Sequence, residues 1–168
     1  DVTGAFVRTA DQKTVSVALD LHPEARRVVL VGGSSPQDKA SEVFARGLVE
    51  KKAPGMEVFS LGGLDLEDQL LRLSQLRRDC VVIFVSYRAA SQGRSMVARD
   101  VLRLVTRASG APVYGASATW LGHGIVGGDL IHYEAYGERS ALLASGILRG
   151  QGLSAVVPSE QPSSRLEF

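Results

Sequence analysis

The turn Gly32-Gly33-Ser34-Ser35, followed by Pro36 and Asp38, is the first place in this sequence where residue types and spacing could do chemistry. It stands between an apolar run, VVLV at 28–31, and an amphipathic pattern that continues to Glu50. Two hydroxyls beside the free amides of a helix N-terminus suit a carboxylate or another small polar group. A phosphate loop would need GxxxxGK[ST], and no second glycine precedes Lys39 here. The dinucleotide fingerprint GxGxxG fails because its later glycines are missing. A phosphoacceptor receiver needs acidic residues after the first strand and an Asp ending the third, where this chain has Gly32-Gly33 and Ser86. Two readings stand: the turn holds a ligand, or Ser35 merely caps its helix and the glycines merely turn the chain.

Catalytic arrangements are scarce elsewhere. The three histidines, His22, His123 and His132, form no HExxH or other metal-site spacing, so no metal is expected. The stretch Gly115-Ala116-Ser117-Ala118-Thr119 is not the GxSxG of a nucleophile elbow. Cys80 opens an apolar run and reads as a small core residue rather than a nucleophile. No spacing suggests an acid–base pair. The domain itself is therefore expected to have no enzymatic activity and no cofactor. A further distinctive stretch is PVYGASATWLGHGIVGG at 112–128, rich in glycine and carrying the single tryptophan, Trp120. An exposed tryptophan there would be costly, so this run is expected to fold against a ligand, a second lobe or a partner.

Strands alternating with helices must position these residues. Helical spacing of Val15, Ala18, Leu19 and His22 predicts a helix over 14–21, closed by Pro23. Residues 28–31 read as a buried parallel strand. Ser35 then stands as N-cap, Pro36 at the first helical position and Asp38 at N3, with Ala40, Val43, Phe44, Gly47 and Leu48 as the apolar stripe of the helix. Further strands are expected at 56–61, 80–85, 112–114 and 124–128. Further helices carry Leu66, Leu70 and Leu73 behind an Asp65 cap, then Val97, Val101, Leu104 and Val105, and finally residues 134–148. This alternation predicts an α/β fold, a three-layer doubly wound parallel sheet of order 2-1-3-4-5. Its switch point lies between the first and third strands. The crevice there would be lined by residues 32–35 on one side and by Ser86, Tyr87 and Arg88 on the other.

The chain has 168 residues and a formal net charge of +1. Its basic residues form only short pairs, Arg26-Arg27 and Arg77-Arg78, which disfavours nucleic acid or an anionic membrane as partner. No apolar run approaches the roughly 20 residues that span a bilayer. One cysteine allows no internal disulfide and leaves the compartment undecided. The expected organisation is a single α/β lobe over 1–157 and a polar tail over 158–168, the whole reading as a segment of a longer protein.

DVTG at 1–4, LHPEARRVVLVGGSSPQDK at 21–39, PVYGASATWLGHGIVGG at 112–128 and YEAYGERSALLASGILRG at 133–150 resemble the type 1 periplasmic-binding-protein family. The nearest branch is the ABC-transporter substrate-binding-like one, which also occurs as the extracytoplasmic sensor of bacterial histidine kinases. The resemblance implies two α/β lobes around a ligand, of which this chain holds one lobe's worth, the first lobe lying elsewhere in the parent. It implies an extracytoplasmic, periplasmic location in a membrane-anchored or secreted parent. It also implies that Ser34, Ser35, Asp38, Tyr87, Arg88, Ser117 and Trp120 line the cleft. On that basis Ser34, Ser35 and the helix amides would hold a carboxylate or carbonyl, and Asp38 would meet an amine. Tyr87 would cover an apolar or planar group, and Arg88 would take a carboxylate. Arg88 reads equally as a solvated loop charge, and Trp120 as packing against the other lobe.

The expected function is ligand sensing for a membrane histidine kinase in two-component signal transduction, with a small polar molecule of the amino acid or organic acid class. The alternative is the solute-binding component of an ABC transporter. A small α/β enzyme ranks behind both. Separation from the other lobe is also expected to leave an apolar patch around Tyr87 and Trp120, covered by a homodimer.

Overall fold

In the computed structural model, which describes residues 11–91, 93–150 and 164–168, the most apolar stretches form the middle of a parallel sheet. Strand β1 (Arg27–Gly32) is central, with β2 (Glu57–Ser60) on one side and β3 (Cys80–Ser86) on the other; β4 (Val113–Gly115) follows β3. The order is therefore β2-β1-β3-β4, all parallel. Helices α2 (Pro36–Lys52), α3 (Leu66–Ser74) and α4 (Ala98–Ala108) supply the crossovers, and α1 (Asp11–Leu21) precedes β1 and packs beside α2.

Alternation along each strand divides the core in two. Val28, Leu30, Val81 and Ile83 face α1 and α2, where Val15, Ala18, Ala45 and Val49 meet them. Val29, Val31, Val82 and Phe84 face α3 and α4, against Leu73, Val101, Leu102 and Val105. Because both faces are covered, β1 and β3 are apolar without alternation, as buried parallel strands must be. Each such side chain contributes about 1.5–3 kcal/mol of burial.

Four expectations need correction. The fifth strand is not 124–128 and does not extend the parallel sheet. Strand β5 (Gly128–Ile131) meets β4 and its extension only through isolated parallel bridges, Tyr114 to Gly127 and Ser117 to Ile131. Its ladder partner is β6 (Ser164–Glu167), antiparallel to it in a separate ribbon. Residues 164–168, the described part of the stretch expected as a polar tail, are thus tied to the domain: Ser164 hydrogen-bonds the Asp129 carboxylate at 2.8 Å, and Glu167 meets His132 at 2.9 Å. The boundary at 157 and the opening DVTG lie outside the described residues. On α2 the buried positions are Asp38, Ala45 and Val49, whereas Val43 and Phe44 are exposed. Of the expected stripe only Leu48 packs against the core, and its largest members, Val43 and Phe44, face solvent. Lastly, the apolar patch expected around Tyr87 and Trp120 does not form as such. Tyr87 belongs to the core under α3 and α4, and Trp120 packs edge-on against Phe84 at 5.0 Å.

Helix α5 (Tyr133–Leu148) stands apart. It leaves the end of β5 and has no buried side chain, with Leu142 and Leu148 among the most exposed apolar residues described. Among the described residues no helix is long and apolar enough to cross a membrane.

Candidate functional site

The turn after β1 does gather hydrogen-bond donors around a carboxylate, and that carboxylate is the protein's own. Ser35 caps α2: its hydroxyl accepts from the Asp38 amide at 3.1 Å, and the Asp38 carboxylate accepts from the Ser35 amide at 3.1 Å. This reciprocal pair is a capping box with aspartate in place of glutamate. The same carboxylate reaches across to the loop after β3. The Ser86 hydroxyl donates to it at 2.7 Å, the Arg88 amide at 3.1 Å to both oxygens, and the Ala89 amide at 3.4 Å. Asp38 is fully buried.

Local geometry forces this closure. The register of β1 against β3 shifts between Val31 and Gly32, so Gly32 pairs with Ser86. The Gly33 amide then donates to the Ser86 carbonyl at 2.9 Å and the Ser34 amide to the Ala89 carbonyl at 2.8 Å. A Cβ on Gly33 would stand 2.5 Å from both the Ala89 carbonyl oxygen and an Asp38 carboxylate oxygen, so only glycine lets the two loops approach. The Ser34 hydroxyl donates to the Ala90 carbonyl. Burial pushes the Asp38 carboxyl up, but hydrogen bonds from Ser86, Ser35 and Arg88 together outweigh it and hold the group below the usual carboxylate range.

Ser34, Ser35 and Asp38 are therefore committed to holding the β1–α2 turn against the β3–α4 loop. An amine ligand would find no vacant acceptor position on Asp38, because its two oxygens already accept from four groups. The helix N-terminus attracts an anion, as its physics requires. The anion is intramolecular.

A recess of about 370 Å³ opens beside this cluster at the carboxyl ends of β3, β4 and β5. It brings together five residues expected from the sequence: Ser86, Tyr87, Arg88, Ser117 and Trp120. Their roles differ. The Ser86 hydroxyl is engaged by Asp38. Tyr87 is buried, stacked on Phe84 with ring centroids 6.4 Å apart, and its hydroxyl lies 3.5 Å from the Gln69 amide nitrogen. Burial raises its phenol pKa. Tyr87 thus forms part of the floor of the recess. Arg88 is exposed, and its guanidinium makes no hydrogen bond or ion pair among the described residues. Ser117 is buried and shares a hydrogen bond with Thr119 at 2.8 Å. Trp120, on a short 3₁₀ turn (Ala118–Trp120), lies across Gly115, where a Cβ would come within 2.6 Å of the indole.

Sequence reasoning missed Ser41, Thr119 and Tyr133, which also line the recess. Ser41 follows Asp38 by three residues on the same helical face, a spacing that could have revealed it. Thr119 and Tyr133 depend on how the chain turns after β4 and β5, which local sequence does not encode. Among the described residues no group of three or more His, Cys, Asp or Glu could hold a metal ion.

No family model and no curated protein matches the sequence. Solved structures do. A conserved domain protein from Vibrio cholerae is 18% identical, with a TM-score of 0.68 over 98% of this chain and 54% of its own. A substrate binding protein with adhesive properties from Clostridium difficile, in a ligand-free, open form, is 19% identical, with a TM-score of 0.61 over 91% and 52% of the two chains. An ABC domain in complex with L-Trp from Streptococcus pneumonia is 15% identical, with a TM-score of 0.63 over 93% and 50%. The chain spans about half the length of each of these proteins, and what it shares with them is an α/β fold.

Proposed function

We propose that this chain is one lobe of an extracytoplasmic receptor that binds a small carboxylate-bearing molecule of the amino acid class. The observation that carries this reading is the recess at the strand carboxyl ends, with the Arg88 guanidinium, unpaired among the described residues, beside Trp120 and the Ser117–Thr119 hydroxyl pair. An arginine fork suits a carboxylate, and an indole edge suits an apolar side chain. The likeness to a substrate binding protein and to a domain holding L-Trp supports the same ligand class. A second lobe of the parent would cover α5, whose apolar residues find no core in this one.

Between the two parent types, the likeness to a substrate binding protein favours the solute-binding component of an ABC transporter. The histidine-kinase sensor role rests on the sequence resemblance alone.

Calorimetric titration with L-Leu, L-Phe and L-Trp, and with their amides, tests the proposal. Saturable binding of at least one acid is expected. The matching amide and the Arg88→Ala variant should each weaken it by roughly tenfold or more, the effect of losing a hydrogen bond to a charged group. Equal affinity for acid and amide would contradict it.

A further inference from the structure

The two arginine pairs noted in the sequence lie next to each other in space, at the end of the sheet opposite the recess just described. The amides of Arg26 and Arg27 both donate to the Asp79 carbonyl, at 2.9 and 3.3 Å, directly after Arg77-Arg78. Beside them is a cavity of about 270 Å³ on the α3 face of the sheet. Its walls include Val29, Phe59, Leu61 and Leu76. Val29 and Phe59 are register partners on neighbouring parallel strands, so both project to the same face. Phe59 is half exposed because β2 is the sheet edge and α3 packs toward α4.

Charge at the mouth is not balanced. Arg27 is neutralised by Glu57 at 2.9 Å and Asp79 at 3.8 Å. Arg72 and Arg77 also line the cavity and are exposed, and neither forms an ion pair among the described residues. An apolar pocket with two uncompensated guanidinium groups fits a ligand with an apolar body and one anionic end. The volume sits just below the usual range for ligand sites, about 300–1,000 Å³, which limits the body to a short chain or a single ring. An added peptide strand fits less well. The edge strand β2 has only four residues, and the Arg46 guanidinium already donates to its Val58 carbonyl at 3.0 Å.

We propose that this cavity is a second binding site, for a small amphiphilic carboxylate whose apolar part packs on Val29, Phe59 and Leu61 and whose head meets Arg72 and Arg77. It is independent of the carboxyl-end recess and of the receptor reading. The anionic end that meets the two arginines could belong to a free amphiphilic carboxylate or to the headgroup of an anionic lipid, and the test separates the two.

Octanoate titrated into the ¹⁵N-labelled chain should shift the amides of Val29, Phe59, Leu61, Arg72 and Cys80 saturably and leave Ser117 and Trp120 unmoved. Octylamine, with the same tail and opposite charge, should bind at least about tenfold more weakly. The double variant Arg72→Ala/Arg77→Ala should lose octanoate to a similar degree; neither guanidinium has a partner among the described residues, so the fold should persist. Equal binding of octylamine, shifts centred on Ser117 and Trp120, or no saturation would each overturn the proposal. Phosphatidylglycerol vesicles form the last arm. Co-sedimentation that depends on the two arginines, together with octanoate binding, assigns the site to an anionic lipid; octanoate binding without it assigns a free carboxylate. Vesicle binding without octanoate binding would replace the pocket with a membrane contact and overturn it.

Discussion

The β1–α2 turn and the segment from β4 to β5 border the same crevice, yet they are built for opposite tasks. On the first side the side chains of Ser34, Ser35, Asp38 and Ser86 are all matched. The Asp38 carboxylate takes donors from Ser35, Ser86, Arg88 and Ala89, and the Ser34 hydroxyl reaches Ala90. On the second side the serine–threonine pair satisfies itself, Trp120 is fixed by Phe84 and Gly115, and across from them the Arg88 guanidinium has no partner among the described residues. A glycine–serine turn at a helix N-terminus is thus not enough to mark a ligand site. What decides is whether the chain supplies its own anion.

The largest expected effect comes from removing that anion. Asp38→Ala leaves several buried donors without an acceptor, and should cost about 3 kcal/mol of stability in chemical denaturation. The sign of its pH dependence follows from the lowered pKa. Asp38 stabilises fully above the ordinary carboxylate value of 3.8 and loses that contribution as pH falls through its lower folded value. Wild-type stability should therefore fall more steeply below about pH 4 than that of Asp38→Asn. A variant as stable as wild type at neutral pH would break the contrast between the two sides.

Next in size is Gly115→Ala, which acts on the open side. The added methyl would stand 2.6 Å from the indole of Trp120, so the ring must move. A loss of about 1–3 kcal/mol is expected, with a shift in the emission of this sole tryptophan. Unchanged emission would mean that Trp120 is not held as described.

The local parts of this arrangement were legible in the sequence. Ser35, Pro36 and Asp38 announce a cap because their interactions span three residues, and the VVLV run announces a strand covered on both faces. The role of Asp38 as a tie was not legible, since its partners lie about 50 residues away and meet it only through the pairing of β1 with β3. Helix α2 misleads for a related reason. Ala40, Val43, Phe44, Gly47 and Leu48 form the better apolar stripe, but the residues buried against β1 and β3 are Ala45 and Val49, with Leu48 beside them. The sequence misplaces the fifth strand because the turn runs on through Gly124 and Gly127 makes only an isolated bridge to Tyr114, while the partner that defines β5 lies more than thirty residues on, at Ser164–Glu167.

Amide shift mapping with the tightest-binding amino acid tests the central claim most directly, namely that one side of the crevice holds the loops together and the other meets ligand. The account predicts shifts at Arg88, Ser117, Thr119 and Trp120, with Ser35 and Asp38 nearly still and Arg88→Ala abolishing the pattern. Shifts centred on Ser34, Ser35 and Asp38 would contradict it, because the ligand would then be displacing the protein's own carboxylate from the turn.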